Sequence, residues 1–383
     1  MRQQRSSFAP LSLIASCVGL LLCGSTQAQS VNLYGKVNLG VRQVTNANPS
    51  GAHVSQLSGT QDGGAFLGIK VSEDLGGGNG VEVILESNIN PDTGTQQSAD
   101  FFWNRNSQIA LKGSWGRLSM GRHIPMAGAV GPLLFADPMR GTSLNNEMVW
   151  LGSYTGLRYN NMLQYQGTFD GVYVGALYTP GEQTNGDAYG RSMGASLGYQ
   201  KPGMTVRGAY QTTEDGTGKK AKIFSVGGNV GVGAGFTLHG AYIDGKYDAG
   251  FVASRTFGGA LHGSAIGMLM PLAAEMDLKA YIAGVSWTAG PWTARLGLHE
   301  AKTKGATWVS AVAGKGDGNQ RLVYLFGQYA LSPRTSLQAG VDINKWSGKY
   351  GKFWGSDLSA GTGATLNGHD GRTTTQLGVS HSF

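Results

Sequence analysis

The sequence predicts an all-β protein: a closed, transmembrane, antiparallel β-barrel of about sixteen strands. Three observations carry that expectation. Apolar and polar residues alternate from Val31 to Phe383, the connections alternate between short and long, and the composition suits strands. Glycine supplies 63 of 383 residues, only 11 are proline and 14% are charged. There is no G-x-y period, which excludes collagen, and a 40% hydrophobic content argues against disorder.

The first 28 residues stand apart from this texture. Arg2 and Arg5 make a basic start, "LSLIASCVGLLLC" is apolar, and "STQAQS" offers small residues for cleavage, most naturally after Ala28. That order reads as an export leader over 1–28, with one domain over 29–383. Both cysteines, Cys17 and Cys23, lie inside the leader, so the mature chain would carry no thiol. Loss of Arg2 and Arg5 would lower the formal net charge from +7 by two. Beyond the leader no stretch approaches the ~20 consecutive apolar residues of a spanning helix.

The alternation is local and legible. In "VNLYGKVNLGV", Val31, Leu33, Val37, Leu39 and Val41 share one face; Asn32, Tyr34, Lys36, Asn38 and Arg42 share the other. "MTVRGAYQ" sets Val206 and Tyr210 against Arg207 and Gln211, and "PWTARLGLH" sets Leu296 and Leu298 against Arg295 and His299. Seven tight connections, "EDLGGGNG", "GSWG", "GTFDG", "QKPG", "GVGAG", "AGP" and "LSPR", alternate with eight long polar ones. Short turns on one rim and long loops on the other describe an up-and-down barrel with an even strand number. Strands of about ten residues suffice to cross a bilayer at a tilt.

Hydrocarbon then dictates closure. Backbone N–H and C=O groups there find no water, so an open edge would leave a row unpaired. The last strand must pair with the first. Leu377, Val379 and Phe383 should face lipid, with Gln376, Ser380 and Ser382 facing inward. Aromatics near strand ends, among them Tyr34, Tyr165, Tyr173, Tyr178, Trp287 and Trp292, are candidates for interfacial girdles.

The ordered series of segments resembles the general, non-specific outer-membrane porins of Gram-negative bacteria, of the β-proteobacterial type. "VNLYGKVNLGV" resembles the first strand of that family, and "FLGIKVSEDLGGGNGVEVILES" its second strand, turn and third strand. "GRLSMGRHIPM" resembles the strand before the third loop, "LSPRTSLQAGVD" the penultimate turn and strand, and Phe383 the terminal phenylalanine. The likeness implies a homotrimer of barrels, each with a third loop folded inward to narrow a pore for ions and small hydrophilic solutes. It also implies surroundings of outer-membrane lipid and lipopolysaccharide, with Phe383, Val379 and Leu377 recognised by the barrel-assembly machinery.

The resemblance carries Lys36, Arg105 and Arg158 to basic constriction positions, although Ile109 and Leu111 share the parity of Arg105. Where the family commonly has an arginine in its second strand, this chain has Phe66, with Lys70 nearby. Asp137 is the central acid of the expected third loop, with Arg140 close by and Glu147 further on. Parity adds Arg207 and Arg295 as inward bases and Glu82, Glu86 and Asp342 as inward acids. Arg122 shares parity with Leu118 and Met120, so a subunit contact or loop latch is expected of it. Bases outnumber acids, which favours anions in a narrow channel.

Other chemistries lack their residues. The seven histidines show no HExxH or other ligand spacing, no G-x-S-x-G occurs, and "GGGNG" lacks the lysine and helix of a phosphate loop. No catalytic residue, metal or cofactor is therefore expected. The positive charge is spread rather than patched, so no nucleic-acid partner is expected either. The alternative on the same barrel is a selective channel. Phe66, Tyr324 and Phe326 hint at sugars; Arg42, Arg158, Arg207 and Arg295 hint at phosphate.

Overall fold

The computed structural model describes residues 29–59, 63–98, 101–140, 157–181, 191–215, 218–251, 274–305, 317–348 and 369–383. The expected leader, 1–28, lies outside the described residues, as does the stretch that holds Glu147.

Strands run in chain order as β1 (Ser30–Val44), β2 (Val54–Ser58), β3 (Phe66–Gly76), β4 (Asn79–Asn90), β5 (Thr95–Gln96) and β6 (Asn106–Gly113). Then come β7 (Gly116–His123), the short helix α1 (Val130–Ala136), β8 (Tyr159–Phe169), β9 (Val172–Thr179), β10 (Ser192–Lys201) and β11 (Met204–Glu214). The series continues with β12 (Lys220–Gly233), β13 (Phe236–Tyr247), β14 (Met276–Ala289) and β15 (Trp292–Lys304). It ends with β16 (Gly318–Ala330), β17 (Thr335–Gly348) and β18 (Gly371–Ser382). All pairings are antiparallel between consecutive ring members, and β1 pairs with both β18 and β3. Setting aside β2, which extends the β3 row beside β1, and the two-residue β5, sixteen strands close the ring.

Closure has its own local chemistry. Phe383 N donates to Gly35 O, and Gly35 N to Phe383 O, both at 3.1 Å. The Phe383 ring then lies across Gly35, where an added Cβ would come within 2.7 Å of it and within 2.6 Å of Phe66 O. Glycine is what permits both contacts.

The seven tight connections fall on one rim, as expected. Six are two-residue turns, such as Asp170–Gly171 between β8 and β9, and one has four residues, between Ala330 and Thr335. Positive φ at both Asp170 (48°) and Gly171 (84°) matches the twist of the flanking strands.

Orientation follows the alternation. Leu377 is 66% exposed and Val379 45%, while their neighbour Gln376 is 5% exposed and Ser380 is likewise buried. Ser382, at the strand end, is exposed instead. Trp292 packs against Tyr329 at 4.6 Å near the turns, and Tyr242 against Tyr281 at 5.3 Å nearer the loops, both with tilted rings. Two girdle candidates turn inward: the Tyr34 hydroxyl donates to Glu86 Oε1 at 2.7 Å, and Tyr173 is buried against Arg207. Both occupy the polar parity of their strands, and that parity decides their side.

Strand length departs from the even ten residues. β6, β7 and β9 have eight, whereas β12, β14 and β17 have fourteen. In the loop-side halves of β12–β14 the polarity inverts, and on β15–β17 the outer face is charged while the inner face mixes Leu322 with Thr303, Gln320 and Asn344. Ile223, Ile243, Met276, Leu278 and Leu322 are buried inside, and Lys222, Lys246, Lys279, Lys302 and Lys345 are exposed outside. Above the hydrocarbon the outer wall meets polar surroundings. Ile223, Ile243, Met276 and Leu278 pack with Ala129, Val130, Leu133 and Phe251 into one apolar cluster, and Leu322 joins Met139, Tyr324 and Phe326 in another.

The sidedness makes a direct test. Leu377→Arg should cost about 2–4 kcal/mol, as a charge placed on the lipid face near mid-bilayer does. Gln376→Arg, one residue away and inward, should cost far less. Urea midpoints for refolding into phospholipid vesicles measure both.

Candidate functional site

The inner face carries four groups of charged residues. The first gathers around Glu86 on β4. This carboxylate accepts from Tyr34 and from Asn106 Nδ2 and lies 3.5 Å from Arg105 Nε. Arg105 also donates to Asn88 Oδ1 at 2.9 Å and stacks 4.4 Å above the Phe66 ring. Phe66 is opposite Lys36 in the β1–β3 register, and Arg158 Nε donates to the Arg105 carbonyl at 2.9 Å. Lys36, Phe66, Glu86, Arg105 and Arg158 are thus brought together. Parity misjudged Arg105 because β6 begins at Asn106, so the alternation that exposes Ile109 and Leu111 does not reach it.

Arg122 lies next to a bulge. The β7–β8 register shifts between Gly121 and His123, while Arg122 stays opposite Ser107, on the side of Ile109 and Met120, and is buried. It donates to Asn104 O at 3.1 Å and to Asn160 Oδ1, and stacks on Phe101 at 4.7 Å. Its partners Asn104 and Phe101 lie in the β5–β6 connection, so the contact is that of a loop latch.

A second group lies nearer the turns. Glu82 is 2.8 Å from Lys70 Nζ and 3.0 Å from Arg117 Nη2. Lys70 is accordingly half of an ion pair, and Arg117 is an inward base that the sequence reading did not single out. Its signal was its parity with the buried Ser119.

The third group holds residues 124–140 against the opposite wall. A buried backbone needs partners, and the wall supplies them strand by strand. Ala127 N donates to Gln164 Oε1 at 2.8 Å and Ala129 N to Gln211 Oε1 at 3.1 Å. Ser225 Oγ donates to Ala129 O at 2.7 Å, and Asn229 Nδ2 to Phe135 O at 2.9 Å. Asp137, expected to face solutes, is fully buried. Its Oδ1 accepts from the Tyr324 hydroxyl and lies 3.2 Å from His299 Nε2, so it anchors the segment. Tyr324 finds room because Gly297 faces it; a Cβ there would come within 2.2 Å of the ring. Arg207 lies between Phe135 of α1 (4.2 Å) and Tyr173 (3.6 Å), and Arg295 contacts Met139 Sδ at 3.7 Å and the Phe326 ring at 5.3 Å. Arg207 and Arg295 therefore brace the segment rather than join the Glu86 group.

A fourth set, Arg42, Asp342 and Arg372, lies on adjacent strands β1, β17 and β18, with Asp342 fully buried. Among the described residues no three His, Cys, Asp or Glu side chains converge in a metal-holding arrangement.

A sealed ring with a polar, mostly basic inner face and an interior segment pinned to one wall is the setting in which comparison with known proteins becomes informative. The family model of the Gram-negative porins matches residues 13–348. Outer membrane porin protein 32 of Delftia acidovorans is 25% identical, with 97% of this chain and 99% of that protein covered. An outer membrane porin protein of Bordetella pertussis is 27% identical over 190 residues, 44% of this chain and about half (47%) of that relative. Among solved structures, the anion-selective porin from Comamonas acidovorans superposes with a TM-score of 0.69 at 21% identity, covering 93% of this chain and 100% of that one. The trimer form of OmpT from Vibrio cholerae gives 0.62 at 13% identity, covering 93% and 100%. The family match spans most of the sequence, and the fold agrees with it: this chain belongs to the Gram-negative porins and is an integral β-barrel of the outer membrane.

Proposed function

We propose that the chain forms a water-filled channel for passive diffusion of ions and small hydrophilic solutes, with a preference for anions. The observation that carries this is the charge balance of the inner face. Inner carboxylates lie with partners: Glu82 with Lys70 and Arg117, Glu86 with Arg105, Asp137 with His299 and Tyr324, and Asp342 with the charges of Arg42 and Arg372. Lys36, Arg158, Arg207, Arg295 and Arg372 add positive charge to the same face. A narrow channel with low-dielectric walls concentrates the field of that excess and draws in counter-ions. The Comamonas protein of the same fold is described as anion-selective, which supports the sign.

The assembly proposed is a homotrimer, in keeping with the trimeric Vibrio protein. The barrel-assembly machinery is proposed to recognise the strand that carries Leu377, Val379 and Phe383, and lipopolysaccharide to surround the barrel. A solute-selective channel is the second reading. Arg105 on Phe66, Arg207 on Tyr173 and Arg295 on Phe326 favour it, because stacking fixes how each guanidinium is presented.

Reversal potentials across planar bilayers in a KCl gradient test the sign. The wild type should favour chloride, and a cation-favouring potential would defeat the proposal. One unit charge ~6 Å from the ion path in a water-like dielectric is worth about 0.7 kcal/mol to a passing ion. Arg158→Gln should therefore lower the chloride preference roughly threefold, and the difference should shrink in 1 M salt, where the Debye length is about 3 Å. Solute block separates the two readings: a general pore is blocked comparably by sugars and phosphate, a selective one by a single class.

Anchoring of residues 124–140 gives the other test. Asp137→Ala leaves the buried Tyr324 hydroxyl and His299 without their shared acceptor, a loss of about 1–3 kcal/mol. Single-channel records should gain current noise and subconductance states while the barrel remains folded. Records as quiet as the wild type would remove Asp137 from this role.

A further inference from the structure

We propose that the passage between residues 124–140 and the Lys36, Arg105 and Arg158 group selects monocarboxylates with an apolar body over more polar anions of the same charge. The inference rests on the anion-preferring channel reading and deepens it by naming the solute class.

The argument begins with how the interior segment is seated. Its small residues face the wall: Ala127, Ala129 and Ala136 are fully buried. The wall is cleared to receive them. A Cβ on Gly175 would come within 2.9 Å of the Ala127 Cβ, and one on Gly227 within 2.9 Å of the Ala136 Cβ. With that side seated and its peptide groups bonded to the wall, the longer side chains of Ile124, Met126, Leu134 and Phe135 are left half-buried. The ring encloses the segment, so the uncovered part of each faces the channel. Asp137 is the one acid in the sequence of this stretch, and it is fully buried. The segment therefore offers passing solutes hydrocarbon and no carboxylate.

The side across the ring is basic. Wall partners of the segment run from Gln164 on β8 through Gln211 on β11 and Ser225 on β12 to Tyr324 on β16. In ring order β1, β3, β4 and β6 lie beyond them. There Lys36 stands on β1 and Arg105 just before β6, with Arg158 held to the Arg105 carbonyl at 2.9 Å. The carboxylate of this group, Glu86, is already engaged by Tyr34, Asn106 and Arg105. Three bases against one acid leave this side positive.

A solute in the passage thus meets cationic donors on one side and apolar surface on the other. A carboxylate accepts from the guanidinium or ammonium groups. An apolar body on the same molecule removes its own surface and that of Leu134 and Phe135 from water. A small hydrated anion uses only the first side, and a neutral apolar solute only the second. A second carboxylate would be pressed against hydrocarbon, which disfavours dicarboxylates. Only an amphiphilic monoanion gains from both.

Block of chloride current through the assembled protein in planar bilayers tests the proposal, with benzoate, gluconate, succinate and benzamide as probes. Gluconate shares the charge of benzoate, and benzamide shares its body. Benzoate should halve the current at a concentration about fivefold lower than gluconate, succinate or benzamide requires. Leu134→Asn should bring benzoate down towards gluconate, and Arg158→Gln should bring it towards benzamide. Met126→Gln repeats the first comparison should Leu134→Asn fail to assemble. Lys112→Gln, at the turn rim, should block as the wild type does. Equal block by benzoate and gluconate, or a benzoate advantage that survives both Leu134→Asn and Met126→Gln, would overturn the proposal and leave an anion-preferring channel in place. A cation-favouring wild type would overturn the channel reading, and this proposal with it.

Discussion

Everything in this molecule follows from the need to pair backbone groups where water is absent. A peptide N–H or C=O left unpaired in hydrocarbon costs several kcal/mol, and a sheet with two edges would expose a whole row of them. Pairing of β1 with β18 along Lys36–Val44 and Thr374–Ser382 removes both edges at once. Every side chain is thereby committed to one of two media. The alternation that looks like strand patterning in the sequence becomes a partition between lipid and channel.

Inside the ring the same requirement operates on a smaller scale. Residues 124–140 bring their own peptide groups into the interior, and the wall answers with Gln164, Gln211, Ser225, Asn229 and Tyr324. The basic residues that face them do two jobs. Arg207 and Arg295 hold the segment through ring and sulfur contacts, while Lys36, Arg105 and Arg158 remain grouped on the other side. Selectivity and support are therefore divided between different arginines of one inner face.

The barrel, its closure and its seven tight turns were legible in the sequence because each rests on short-range pattern. Period-two alternation identified Leu377 as outward and Gln376 as inward, and glycine-rich dipeptides marked one rim. The constriction was only partly legible. Arg105 was obscured because it lies just before its strand, whereas the loop latch expected of Arg122 is what it makes. Asp137 was recognised as the key acid of its segment, but burial against His299 and Tyr324 depends on residues more than 160 positions away. The inverted polarity of β12–β14 was also missed. Alternation looks the same whichever face is greasy, and only the height above the bilayer decides it.

The two-residue turns have a consequence for how such a chain can change over time. A hairpin closed by Asp170 and Gly171 has no slack, since one added residue would shift the register and send each following side chain to the wrong medium. Insertions and deletions are tolerable only at the opposite end. One end of the molecule is held to a fixed length while the other is open to diversification, so novelty in this protein accumulates on a single surface.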